Sequence, residues 1–313
     1  MARKLWLDTD PGFDDWMAWA LLEADPQFHL LGVSVVAGNA PLPVTLANAL
    51  AIRALHGFTT PVFAGCARPL AQPQSTAQDV LGAHGMRSTG PLLPPASHGL
   101  SAGHGVQALV DAVRAHPGQV TLLAVGPLTN VATAFALAPE LPQLLQALVI
   151  MGGSTVGGNA TAAAEFNIHA DPEAAARVFD SGIPVAMFGL NACRQLAVGD
   201  GHVQQLRTLR GEAARIFTGY FDGYVDLARV RGRAAQALYD PTPVVWLARP
   251  ELFTLQPGRV EIELGGRYTR GMTVCDLRPP ARARANAQVA LQAQGRPALE
   301  WVMERLLALL ART

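Results

Sequence analysis

Leu5-Trp-Leu-Asp8-Thr-Asp10-Pro-Gly12-Phe-Asp14-Asp15-Trp-Met-Ala-Trp-Ala-Leu-Leu22 decides how the rest of the chain is read. An apolar run leads in, a Pro-Gly turn interrupts, and an amphipathic run without a breaker follows. That order predicts strand, tight turn and helix. Four carboxylates gather at the turn, within eight residues. Asp8 and Asp10 are two apart, so an extended chain points them the same way. Asp14 and Asp15 fall in the first helical turn, where the helix dipole tolerates negative charge. Acids this close repel one another unless a cation sits among them. With no Cys or His nearby, hard oxygen ligands favour Ca²⁺ or Mg²⁺ over a softer metal.

Working outward, runs such as 29–37, 61–65, 120–125, 147–151 and 184–188 are short and apolar, and helical patterns separate them. This alternation predicts an α/β fold with an open, mostly parallel, Rossmann-like central sheet and helices on both faces. Residues 200–237 read as all-helical, 257–264 and 272–277 as late strands, and 297–311 as an amphipathic closing helix. Two stretches, 66–101 and 152–170, read as loops rich in Gly and small residues; a loop as long as the first is usually functional or mobile. The length, 313 residues, fits one large domain or two smaller ones.

Composition narrows the partners. Hydrophobic residues make up 50% and charged ones 15%, which suits a heavily buried fold and argues against disorder. Basic and acidic residues balance at 24 each, and the Arg clusters at 229–233 and 278–284 are short, so nucleic acid is not an expected partner. Cys66, Cys193 and Cys275 are far apart and odd in number, which reads as free thiols, small buried hydrophobes of a reducing compartment. With no apolar leader and no bilayer-length run, no membrane is expected and a cytoplasmic location is. Several predicted strands end in a polar group or a Gly turn: Asp8 and Asp10, Asn39, Val125-Gly126, Met151-Gly152. The loop after Met151 adds Asn159, Glu165, Asn167 and His169, and Tyr239-Asp240-Pro241 adds a carboxylate far downstream. Asn, Asp and Glu on one rim of a sheet offer paired donors and acceptors, a set suited to a polyhydroxylated substrate such as a sugar.

Asp8-Thr-Asp10-Pro-Gly-Phe-Asp14-Asp15 resembles the N-terminal signature of the inosine–uridine preferring nucleoside hydrolases. Gly38-Asn39, Ala124-Val-Gly-Pro-Leu-Thr-Asn130, Ile150-Met-Gly-Gly153, Asn159 through Glu165-Phe166-Asn167 to Asp171-Pro172-Glu173, Asp240-Pro241 and Thr269-Arg-Gly-Met272 follow in the family's order. The resemblance implies a nucleoside hydrolase fold, with residues 1–313 as a single domain and the helical region 200–237 near the active-site mouth. It implies hydrolysis of the N-glycosidic bond of ribonucleosides to ribose and a free purine or pyrimidine base, in nucleoside salvage. It implies a Ca²⁺ held by Asp10, Asp15, Asp240 and the Val125 carbonyl, with Asp10 also the general base. Asp14 and Asn39 would hold the ribose diol; Asn159, Glu165 and Asn167 its 5′ side, with Met151 beneath the sugar. It implies a homodimer or homotetramer. The chemistry fits: the transition state is oxocarbenium-like, and carboxylates stabilise the charge that develops.

One departure concerns the leaving base. Many members carry His before the last metal-ligating Asp; here it is Tyr239, a phenol of ordinary pKa about 10 and a weaker acid than imidazolium. His84, in the first long loop, matches a His-Gly that contacts the base in some members, so His84 and Tyr239 together are expected to handle the base. Tyr220 and Tyr224, four apart on a predicted helix, read as core aromatics; His56, His98, His104, His116 and His202 read as surface or loop residues. Two rivals remain at this level: a nucleoside-binding protein with the metal pocket and little turnover, and a metal-dependent phosphatase. The second would want a later Lys, and Lys4 is the only one.

Overall fold

The computed structural model describes residues 2–96, 99–279 and 283–312; His98 and Arg282 lie outside the described residues. The strands are β1 (Arg3–Thr9), β2 (Phe28–Val35), β3 (Val62–Ala64), β4 (Leu100–His104), β5 (Val120–Ala124), β6 (Ala147–Met151), β7 (Val185–Phe188), β8 (Ala197–Val198), β9 (Gln236–Ala237), β10 (Phe253–Ile262), β11 (Thr273–Asp276) and β12 (Ala287–Ala293). Ten of them form one sheet in the order β11-β10-β12-β7-β6-β5-β1-β2-β3-β4. Pairing from β12 through β7 to β4 is parallel; β10 is antiparallel to both β11 and β12. The mostly parallel α/β expectation holds.

Alternation along β1 shows why both faces are covered. Leu5 and Leu7 join a core with the helices Phe13–Ala24, Leu42–His56, Glu212–Arg229, Pro241–Ala248 and Gly295–Leu310. Trp6 points the other way, into a core with the helices Gly105–Ala115, Thr129–Leu137 and Pro172–Phe179. A strand buried on both sides has no polar face, hence the unbroken apolar runs.

Topology places the site. From β1 the chain moves outward through β2, β3 and β4, then returns to the other side of β1 for β5, β6 and β7. The order reverses between β1 and β5, and in open α/β sheets ligands bind at such a crevice beyond the carboxyl ends of the strands. The acidic turn, residues 10–15, follows directly on β1.

Some expectations are corrected. Residues 200–237 are not all helical: the helices Asp200–Leu206 and Glu212–Arg229 are followed by β9, which pairs with β8. The first long loop contains the short helix Gln78–Leu81 and ends in β4, a mostly exposed edge strand without an apolar pattern to announce it. β12, which links the parallel sheet to its antiparallel end, carries no clear strand pattern because Gln288 and Gln292 interrupt it. Cys193 is buried, but Cys66 and Cys275 are only half-buried.

His56 is not a surface residue. It is 9% exposed, accepts a 2.9 Å hydrogen bond on Nε2 from Trp16 Nε1, and stacks on Phe58 at 4.9 Å between centroids. Burial pushes its pKa down to about 4. An unfolded chain titrates about 6.5, so between these values it binds a proton that the folded state refuses, and stability falls as pH drops through that window. Relative to a His56→Gln variant, which keeps an acceptor for Trp16, the protein should lose up to about 3 kcal/mol between about pH 7.5 and pH 4. Denaturant titrations of both proteins check this, and parallel pH curves would refute it.

Candidate active site

The acids at the end of β1 are buried and held by their own turn. Asp15 Oδ1 accepts from Thr9 Oγ1 at 2.5 Å and from Asp10 N at 3.1 Å. Its Oδ2 accepts from Gly12 N at 2.9 Å and Asn39 Nδ2 at 3.1 Å. Asp10 lies just beyond the strand, with Oδ2 accepting from Asn39 N at 2.6 Å. Its carboxylate fills a slot between two glycines: a Cβ on Gly38 would stand 2.1 Å from Oδ2, and one on Gly126 would stand 2.5 Å from Oδ1. Asp8 takes no part in this cluster. It faces Ser34 and Asn130, which donate to its Oδ2, and burial pushes its pKa up to about 7.

Asp240, at the start of the helix Pro241–Ala248, returns to the turn from far along the chain. Carboxylate oxygens of Asp14, Asp15 and Asp240 all lie within 4.8 Å of one another. Burial, and then the neighbouring acids, push Asp10, Asp14 and Asp240 upward, Asp14 to about 7; burial raises Asp15 as well. Four crowded acids that resist ionisation together are what a hard divalent cation relieves, so the donor set fits such an ion. Asp10 stands beside the three-carboxylate group rather than in it, and the Val125 carbonyl accepts from Asn167 Nδ2 at 2.8 Å.

Above the acids opens a pocket of 340 Å³. Asp10, Asp14, Asn39, Val125, Met151, Asn159, Glu165, Asn167, Tyr239 and Asp240 line it, so nearly every residue singled out from the sequence converges here. Glu165 is fixed by backbone donors, Gly153 N at 2.9 Å, Asn167 N at 2.9 Å and Ile168 N at 3.2 Å. Asn167 also donates to the Met151 carbonyl, and Asn159 accepts from Phe166 N. Asp15, beneath the floor, is not in the lining. His84 is the other expected residue outside the lining, and it lies apart from the acids as well. Its side chain is exposed and outside the lining, and its carbonyl is held by Asn48 Nδ2 at 2.8 Å.

The far wall was less visible in the sequence. Tyr224 reaches in from the helix Glu212–Arg229, with its hydroxyl 3.2 Å from Asp14 Oδ2 and donating to the Ala237 carbonyl at 2.7 Å. Leu227, Arg231, Gln236 and Phe166 also line the pocket, and the opposite lip is Ser75 to Leu81 of the first long loop. That loop is clasped to the helix further out. Thr89 N donates to Gly219 O at 3.0 Å, Thr89 Oγ1 to Asp222 Oδ2 at 2.8 Å, and Leu93 N to the Tyr220 hydroxyl at 3.1 Å. A Cβ on Gly223 would stand 2.4 Å from the Arg87 carbonyl. Tyr224 and Leu227 share one face of that helix and Arg231 follows just past its end, but no local pattern says which face meets the pocket.

Known proteins resemble this chain in sequence and in fold. A sequence profile of the inosine–uridine preferring nucleoside hydrolases matches residues 5–298. A pyrimidine-specific ribonucleoside hydrolase of Shewanella woodyi is 39% identical, over 92% of this chain and 93% of its own. A non-specific ribonucleoside hydrolase of Escherichia coli is 37% identical, over 98% and 99%. The solved structure of a purine-preferring ribonucleoside hydrolase from Gardnerella vaginalis superposes with a TM-score of 0.92 at 28% identity, over 99% of this chain and 100% of its own. Fold, pocket and likenesses together define a ribonucleoside N-glycosidase. The chain belongs to the inosine–uridine preferring nucleoside hydrolase family.

Proposed function

We propose that the protein is a Ca²⁺-dependent hydrolase of free ribonucleosides, acting in the cytoplasm as a homodimer or homotetramer. The observation that carries the metal is the cluster of half-buried Asp14 with buried Asp15 and Asp240, Asp10 adjoining. Asp10, Asp15, Asp240 and the Val125 carbonyl would hold the ion. Ca²⁺ suits this set better than Mg²⁺ because its flexible shell takes seven or eight oxygens, enough for a sugar diol beside the protein ligands. When bound, the ion makes a water easier to deprotonate and neutralises the crowded acids.

The chain's own residues do the rest. Asp14 and Asn39 hold the ribose 2′- and 3′-hydroxyls, and Asn159, Glu165 and Asn167 hold the 5′ side. Met151 packs beneath the sugar. Asp10 takes a proton from the attacking water as its oxygen bonds to C1′. The C1′–N bond breaks, and its electron pair leaves with the base. Burial and the nearby Asp14 carboxylate raise the Tyr239 pKa, so its hydroxyl keeps its proton and serves as a hydrogen-bond donor to the base. His84 joins it only if residues 82–85 fold inward, and His84→Ala kinetics on uridine and inosine decide that.

Assembly rests on the family resemblance, and light scattering tests it. No described helix is long and apolar enough to cross a membrane. The test of the main reading is ribose release from a nucleoside panel, with metal content measured alongside. Stripping with a chelator should cost at least about a hundredfold in rate, and Ca²⁺ should restore it better than Mg²⁺. Full activity in metal-free protein would overturn the assignment.

A further inference from the structure

A second cavity, of about 370 Å³, opens where the first long loop is clasped to the helix Glu212–Arg229. Three arginines line it: Arg207 and Arg210 from the turn after the helix Asp200–Leu206, and Arg215 from the start of the next helix. The one acid in the described lining is Asp222, and its carboxylate is already engaged. Oδ1 accepts from Arg229 at 2.7 Å, and Oδ2 accepts from Arg207 at 3.1 Å and from Thr89 Oγ1 at 2.8 Å. Among the described residues, the Arg210 and Arg215 guanidinia form no hydrogen bond or ion pair. The cavity therefore holds surplus positive charge with unused donors.

Local structure holds these cations together. Leu209 N donates to Leu206 O at 3.1 Å and Arg215 N to Gly211 O at 3.2 Å, so a short hydrogen-bonded turn fixes the backbones that carry them. Gly211 has φ 114°, which a side chain would resist, and it lets the chain pass directly from one helix to the next. As the cap of the helix Glu212–Arg229 it offers no side-chain acceptor, so the open N–H groups of that end add a field of the same sign. Glu212, the acid of that first turn, is exposed and outside the lining. Guanidinia from three positions suit a compact anion with several oxygens, and their forked donors match phosphate. A carboxylate brings one charge, whereas a phosphate monoester with its second pKa near about 6 brings close to two at neutral pH. Pro91, Leu206 and Leu209 also border the cavity, which leaves room for a short organic group beyond the phosphate.

We propose that this cavity is a regulatory phosphate site, taking free phosphate or the head of a small phosphate monoester on Arg207, Arg210 and Arg215. The site spans the clasp. Its loop side is Thr89 to Pro91, and its helix side includes Thr218 and Gly219, whose carbonyl accepts from Thr89 N at 3.0 Å. An anion held across this seam binds the clasped arrangement better than an opened one. It thereby favours that arrangement and the lip at Ser75 to Leu81, and a bound nucleoside favours the anion in return. Phosphate binding stands independently of catalysis; the effect on nucleosides rests on the hydrolase reading.

The test uses the full-length, Ca²⁺-loaded protein, freed of excess Ca²⁺. It is titrated calorimetrically with inorganic phosphate and separately with methyl phosphate, at constant ionic strength with chloride as the reference anion. One equivalent should bind with a Kd below about 1 mM. The tighter of the two ligands tells a free-phosphate site from a monoester site. Arg210→Ala and Arg215→Ala, both exposed and outside the nucleoside pocket, should each weaken binding at least about tenfold and leave kcat without phosphate unchanged. Arg210→Lys should keep part of the affinity, and Arg284→Ala, an exposed arginine elsewhere, all of it. Saturating phosphate should lower KM for uridine and inosine about fivefold in the wild type and in neither Ala variant. No saturable binding in the wild type, or unchanged affinity in both Ala variants, would overturn the site. Binding with an unchanged KM would overturn its coupling to the pocket. A wild-type protein that binds phosphate yet is inert toward nucleosides would overturn the hydrolase reading alone.

Discussion

An Asp10→Asn protein should fold, bind nucleosides and release ribose about 10³–10⁴-fold more slowly than wild type. The two side chains have the same shape, so the substitute fits the slot between Gly38 and Gly126, and an amide oxygen still accepts from Asn39 N. What it cannot do is take a proton from water. In the proposed scheme Asp10 is both that base and a metal ligand, so metal content must be measured with the kinetics. A rate within tenfold of wild type, with metal still bound, would remove Asp10 from the proton-accepting role.

The second large effect needs no change to any acid. Gly38→Ala would put a methyl 2.1 Å from Asp10 Oδ2 and 2.7 Å from Pro127 Cδ. Neither approach is sterically allowed, and Pro127 is part of a rigid turn, so the carboxylate has to leave its position. Misplacing a reacting group by about 1 Å costs on the order of a hundredfold, and overpacking adds about 1–3 kcal/mol of instability. Gly201→Ala is the matched control: nothing stands within 4 Å of its added methyl, and it lies in the helix Asp200–Leu206, so stability should be unchanged or up to about 1 kcal/mol better. If Gly38→Ala kept wild-type rates while Gly201→Ala behaved as expected, the slot would have no bearing on catalysis.

Much of the site was legible because it is local in sequence. The turn from Asp8 to Asp15 brings its acids together through neighbouring bonds, and the Gly and Asn residues at strand ends mark one rim of the sheet. Distant pairings were harder. That Asp8 turns toward Asn130 while Asp10 passes between two glycines depends on strands β2 and β5 flanking β1, which no local pattern records. His56 reads opposite to its place, since this motif-free histidine packs under Trp16. Tyr224 is the core aromatic that its spacing suggests, and its hydroxyl reaches a carboxylate besides. His84 shows the reverse limit, since a matching dipeptide does not say which way its loop is turned. β4 and β12 were missed because an exposed edge and a Gln-broken run carry little hydrophobic periodicity.

The clasp between residues 87–93 and the helix Glu212–Arg229 has a bearing on how such an enzyme diversifies. Its contacts at Gly219, Asp222 and Gly223 lie outside the pocket lining, yet they hold the segment whose earlier part, Ser75 to Leu81, forms one lip against the helix that forms the other. Aperture is therefore inherited from residues that never meet a nucleoside. A lineage can widen or narrow what it admits by mutating the hinge pin, leaving the chemistry at the floor untouched.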